Sequence, residues 1–248
     1  MIRKCPVLIR PLYLLMLAGS LFPAVSISKP VSVIGLPVNI ITGDDNQKVI
    51  VEGKESLSDL NFMLKTQLQS YDLEKSQRIA DIIVMRISDN NAIDHETLSD
   101  AYYLVGVCYL LSNNYSEAIR FLELTARLKE QQNEYDDRYA RVLYNIGTAY
   151  YGMGDFTNQE SYSVKSLEIE RKIYGESSPL IIKTCNLLAL SYLGLQDYSK
   201  SFEFSKMALN IAGNNEGSVD ITDLKAIFNN LGVTYIHLAD YSKAKVYL

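Results

Sequence analysis

The sequence has no tryptophan, two histidines and three cysteines among its 248 residues, and each shortage removes a class of chemistry. A zinc site asks for three or four converging Cys, His or carboxylate ligands, whereas His95 and His237 lie in different parts of the chain, neither beside a cysteine cluster. Cys5 is near the amino end; Cys108 and Cys185 fall within apolar helical patterns, so one bridge at most is available and the chain is no disulfide-dense scaffold. Two buried free thiols are expected, although a Cys108–Cys185 bridge stays open because sequence spacing does not fix a Cβ separation. Basic charge is also short: 24 Lys+Arg against 29 Asp+Glu give a net charge of -5, which offers no electrostatic footprint for nucleic acid. Gly152-Met153-Gly154 neither follows a strand pattern nor precedes the lysine of a phosphate loop. Asp44-Asp45 and Glu134 to Asp137 lack the central glycine and closing glutamate of a calcium loop. No catalytic residue, metal set or cofactor motif is therefore expected.

Proline is confined. Five of the six (Pro6, Pro11, Pro23, Pro30 and Pro37) precede residue 38, and the sixth is Pro179. The amino end reads as a secretory leader over residues 1–26: Arg3, Lys4 and Arg10, then an apolar run from Leu12 to Phe22, then small Ala24 and Ser26 before a cut. Retention as an uncleaved anchor is the alternative. Loss of three basic residues and no acid would move the net charge from -5 to -8. Residues 27–55, with Gly35, Pro37 and the turn formers Gly43 to Asn46, read as an extended linker or a short hairpin pairing Asn39–Thr42 with Lys48–Val51.

From Ser56 onward the period is helical and the chain repeats itself. YYLVGVCYLLSNNYSEAIRFL from Tyr102, LYNIGTAYYGMGDFTNQESYS from Leu143, CNLLALSYLGLQDYSKSFEFS from Cys185 and FNNLGVTYIHLADYSKAKVYL from Phe228 align without gaps. Gly106, Gly147, Ala189 and Gly232 hold one place, where a small residue lets two helices approach; Tyr109, Tyr150, Tyr192 and Tyr235 follow three residues later on the same face. Then come Asn114-Tyr115, Asp155-Phe156, Asp197-Tyr198 and Asp240-Tyr241, a polar residue to cap a second helix and an aromatic to pack beneath the turn. Ala118 and Ala244 start the inward stripe of that helix, with Gln159 and Ser201 as polar counterparts. Residues 56–98 read as a degenerate first repeat or cap, with Tyr71 aligned to Tyr115 and Asn61 to Met63 crowding the small place. Residues 99–248 carry the repeats, the last one truncated, which suggests further chain.

The pattern resembles the tetratricopeptide repeat, in the longer variant of kinesin light chains and many bacterial repeat proteins, with Gly175 closing a second helix and Pro179 opening the next first helix. The resemblance implies an all-α, right-handed superhelical solenoid of stacked antiparallel helix pairs with an extended concave face lined by the first helices. It further implies that Asn145, Thr148, Asn186, Asn229 and Asn230 can hold the backbone of an extended peptide, an amide offering both donor and acceptor, while Tyr144 and Tyr151 add apolar contact; the alternative is that the asparagines are polar face residues or make interhelical hydrogen bonds. Arg141 and Lys183 stand only at the starts of their helices, and Leu104 and Leu187 replace asparagine, which does not suit a carboxylate clamp. The expected function is a non-catalytic scaffold, exported to the periplasm or cell envelope, that binds a protein or peptide and no nucleic acid. Membrane association would come through the leader or through chain beyond Leu248. The alternative is an extracytoplasmic sensory or assembly segment of a larger protein with a downstream histidine kinase or caspase-like peptidase.

Overall fold

The computed structural model describes residues 55–89, 93–215 and 217–248. The leader and the Asn39–Val51 hairpin lie outside the described residues. Within them the chain forms five helical hairpins: α1 Leu57–Gln69 with α2 Leu73–Asp89, α3 His95–Leu111 with α4 Tyr115–Gln131, and α5 Asp137–Met153 with α6 Phe156–Tyr174. A 3-10 turn at Pro179–Ile181 leads into α7 Ile182–Gly194, which pairs with α8 Tyr198–Asn214; α9 Ile221–His237 pairs with α10 Tyr241–Tyr247. This is an all-α solenoid of stacked antiparallel helix pairs.

One turn design closes all five hairpins. The residue two before each second helix takes a left-handed backbone: Tyr71 at φ 58°, Asn113 at 58°, Gly154 at 74°, Gln196 at 62° and Ala239 at 59°. The next N–H then reaches five residues back, from Asp72 to Gln67, Asn114 to Tyr109, Asp155 to Tyr150, Asp197 to Tyr192 and Asp240 to Tyr235, satisfying carbonyls that a helix end would leave orphaned. Asp155, Asp197 and Asp240 also accept an N–H three residues on and cap the second helix, as expected, but Asn114 makes no such bond.

The turn corrects the register of the first hairpin. Tyr71 does not correspond to Tyr115; it takes the left-handed place of Asn113, and Leu73 takes the aromatic place, with Asp72 capping through Lys75 N–H. The small place then falls on buried Leu64, not on residues 61 to 63. Matching by residue type misled because an aromatic happened to stand two positions early.

Two aromatic series hold the stack together. Within a hairpin, Tyr109 stacks on Phe121, Tyr150 on Tyr162, Tyr192 on Phe204 and Tyr235 on Tyr247, with centroids 5.5–5.8 Å apart. Such pairs contribute about 0.5–1.5 kcal/mol each beyond the area they bury. Between hairpins, the aromatic that opens a second helix leans on the following first helix. A Cβ on Gly152 would stand 2.3 Å from the Tyr115 ring, and one on Gly194 2.3 Å from the Phe156 ring. In the third joint His237 takes the glycine's place and lies flat on Tyr198, 4.6 Å between centroids and 6° between planes. The expected small places are equally tight: a Cβ on Gly106 would meet Leu122 at 2.8 Å, one on Gly147 would meet Ser163 at 2.9 Å, and one on Gly232 would meet Leu248 at 2.5 Å.

Curvature follows from which helices touch. Each first helix packs on its own partner, α3, α5, α7 and α9 also pack on the preceding second helix, and α1, α3, α5 and α7 each reach the next first helix. Among the described residues the second helices keep their backbones apart and touch only through long side chains, the Tyr162 hydroxyl on Glu123 at 3.0 Å and Arg171 on the Met207 sulfur at 3.2 Å, so they fan outward and the first helices line the inner side.

Candidate functional site

With its partner on one side and a neighbouring hairpin on each flank, or for α9 on one flank, a first helix has an inner strip left free, and residues i, i+4 and i+7 share it. On α5 these are Tyr144, Thr148 and Tyr151, on α7 Asn186, Leu190 and Leu193, and on α9 Asn229, Val233 and Ile236. Tyr144, Thr148, Leu190, Leu193, Asn229 and Val233 are half-buried, and Tyr151 and Ile236 are each 42% exposed. On α3 the same places, Tyr103, Val107 and Leu110, are buried. The inner face is thus open along α5, α7 and α9. Its middle and turn-ward rows are mostly apolar, Thr148, Leu190 and Val233 beside Tyr151, Leu193 and Ile236.

The expected asparagines divide by position. Asn145 and Asn230, each 1% exposed, stand two residues before the small place, where Leu104 and Leu187 are also buried. In the four later hairpins that place is buried away from the open face, whereas in the first hairpin it holds the exposed Phe62. Asn230 Nδ2 donates to the Asn186 carbonyl at 3.3 Å, and Asn186 Nδ2 donates to the Asp223 carbonyl at 3.3 Å, so both amides tie α7 to α9. Asn61 uses the same device between α1 and α3, its Nδ2 on the Thr97 carbonyl at 3.0 Å. The buried amides of Asn145, Asn186 and Asn230 therefore do not present themselves to a peptide, whereas Asn229, Tyr144, Thr148 and Tyr151 lie on the open strip. Leu193, Val233 and Ile236 were the residues that sequence reasoning passed over; carrying the places of Thr148 and Tyr151 forward by 42 and then 43 residues finds them.

The edge of the face nearest the helix starts is charged and internally balanced. Arg138 pairs with Asp100, and Arg141 with Asp137, which also accepts from the Tyr174 hydroxyl. Burial raises the Asp223 carboxyl, with Lys183 opposing the shift. Burial, then Asp223 and Glu170, push the Tyr144 phenol far up, so Tyr144 offers a neutral hydroxyl over an acidic floor. Thr148 Oγ1 donates to the Tyr144 carbonyl at 3.0 Å. The arrangement offers apolar rows flanked by paired charges, a surface for binding. Both Cys108 and Cys185 are buried free thiols held well above the usual range, at about 12 (chiefly by burial), so neither is a ready nucleophile. Among the described residues no helix is long and apolar enough to cross a membrane.

Comparison with known proteins agrees with the geometry. Residues 99–132 and 133–214 match the tetratricopeptide repeat family. The crystal structure of BtubC (BKLC) from P. vanneervenii superposes with a TM-score of 0.65 at 23% identity, covering 76% of this chain and 75% of that one. A crystal structure of the nearly identical TPR-like repeats of a Podosopora anserina putative kinesin light chain gives 0.65 at 14% identity over 77% and 90% of the two chains. The apo form of RapI gives 0.67 at 16% identity over 77% and 67%. No curated protein matches the sequence significantly.

Proposed function

We propose that this tetratricopeptide-repeat solenoid is an exported, non-catalytic interaction scaffold that holds an extended, moderately apolar segment of a protein partner along the inner face of α5, α7 and α9. The observation that carries the reading is the recurrence of one open strip on three successive helices, with apolar side chains left accessible at Tyr151, Leu190, Leu193, Val233 and Ile236. Stacked repeats build extended concave surfaces of this kind, and the spacing between neighbouring first helices gives a partner side chain a slot at each step. The ion pairs Arg138–Asp100 and Arg141–Asp137 at the edge already answer both arginines, which disfavours recruitment of an acidic segment. The basic-then-apolar order of residues 1–22 supports export.

The test is a peptide selected by display on the whole chain, then measured against Tyr151→Ala, Leu190→Asp and the outer-face control Glu168→Ala, with circular dichroism to establish that each is folded. The two inner-face changes should weaken binding about tenfold or more, roughly 1.4 kcal/mol, and the control should bind as the parent does. Equal affinities across the set, or loss in the control alone, would contradict the proposal.

A further inference from the structure

The second helices bury a stripe of four places whose chemistry changes along the stack. On α4 it is Ala118, Leu122, Thr125 and Lys129; on α8 it is Ser201, Ser205, Ala208 and Ala212; on α6 all four are polar, Gln159, Ser163, Ser166 and Glu170. Only part of that polarity is answered. Gln159 Nε2 donates to the Leu187 carbonyl at 3.0 Å, and Ser166 Oγ donates to the Ala140 carbonyl at 2.8 Å. Gln159 Oε1 and Ser163 Oγ are buried without a hydrogen-bond partner, and Glu170 has only weak ones: Ser166 Oγ donates to its Oε1 at 3.5 Å, and Thr184 Oγ1 faces the carboxyl without well-formed bond geometry. Buried polar groups in this condition weaken the packing they interrupt.

Glu170 is the extreme case. At the same place on α4, the buried Lys129 ammonium is answered by Glu134 at 2.7 Å and Asp136 at 3.1 Å. Glu170 is 7% exposed and, among the described residues, forms no ion pair. From α5 it is faced by Asp137, already engaged by Arg141 and Tyr174, and by the Tyr144 phenol; from α7 it is faced by Thr184 and the Cys185 thiol. The 3-10 turn Pro179–Ile181 brings no charged side chain. A proton is thus the only neutralising partner this site offers the carboxylate.

We propose that the seam where α6 meets α5 and α7 is a proton-operated joint, held closed when the Glu170 carboxyl is neutral and loosened when it is charged. Burial, chiefly, raises this carboxyl from 4.5 to about 7. A folded-state value above the unfolded one means that the stabilising effect is complete below 4.5, declines as pH rises toward 7 and is lost above it. The joint lies under Tyr144 on the inner face, but its operation does not depend on what that face holds.

The test reads the wild-type carboxyl first, by its side-chain carbon resonance across pH, and then amide-exchange protection of α5, α6 and α7 after correction for intrinsic rates. The Glu170 resonance should titrate near 7, and protection in these helices should fall roughly thirtyfold between about pH 5.5 and about pH 8, the part of the shift from 4.5 to about 7 that lies above pH 5.5. In Glu170→Gln, which keeps the shape and cannot ionise, that fall should disappear while α3 and α4 behave as in the parent. Titration in the ordinary carboxylate range, or an unchanged pH-dependent fall in Glu170→Gln, would overturn the proposal. Should the variant not fold, the wild-type resonance and protection profile decide it: titration near 7 without loss of protection overturns it too.

Discussion

At the scale of single residues, tightness at the glycines is the most exposed part of the account. Gly194 has the Phe156 ring where its Cβ would be, so Gly194→Ala should destabilise the fold by about 1–3 kcal/mol, as overpacking does, even though alanine is the better helix former. Urea melts of Gly194→Ala, Phe156→Ala and the double variant should show strong non-additivity, because removing the ring removes the clash. Additive effects would mean the contact is not there. Much of this was legible in the sequence, where the spacing of Gly106, Gly147, Ala189 and Gly232 and of the four tyrosines after them picks out the residues that the structure shows packed between helices. The Gly152–Gly194–His237 series was not, since a histidine in its third member hides the shared place, and type matching follows chemistry before position. The asparagines misled for the opposite reason. Asn145 and Asn230 look like groove amides, but occupy a place that Leu104 and Leu187 fill elsewhere, and a place tolerant of leucine is an interior one.

Helix pairs carry the next level. Four of the five second helices open with an aspartate that accepts an N–H three residues on, and α4 alone opens with an asparagine that does not. Asn114→Asp should supply the missing cap together with a charge that favours the helix start, raising stability by roughly 0.5 kcal/mol in thermal or urea melts. No gain would indicate that the α4 turn geometry forbids the bond. The capping aspartates also set an acid limit. Asp240, held down to about 2 mainly by Lys243, contributes stability that is present above its unfolded value and is lost as pH falls through about 2. The Glu170 effect runs in the opposite direction and a higher window, so a melt series across pH separates the two. Element boundaries were readable because glycine, proline and aspartate punctuate them; the register of α1 and α2 was not, because Leu73 lacks the aromatic that marks the other second helices.

The described residues form a curved stack whose direction of bending is set by first helices whose backbones approach and second helices whose backbones stay apart. Repetition at steps near forty-two residues made that architecture visible in the sequence, since a pattern recurring four times is difficult to produce by chance. The polar stripe on α6 became meaningful only when three second helices could be compared place by place, and the open strip on α5, α7 and α9 only when burial was known. Photo-crosslinking reads out partner binding on that strip. A photoreactive residue would be placed at Thr148, Leu190 or Val233 on the inner face and at Lys165 or Glu168 on the outer face of the full-length protein in its own cell. The account predicts that all three inner positions capture the same partner through one continuous segment, in the order of the repeats, and that the outer positions do not. Capture from the outer positions alone, or unrelated products from the three inner ones, would contradict it.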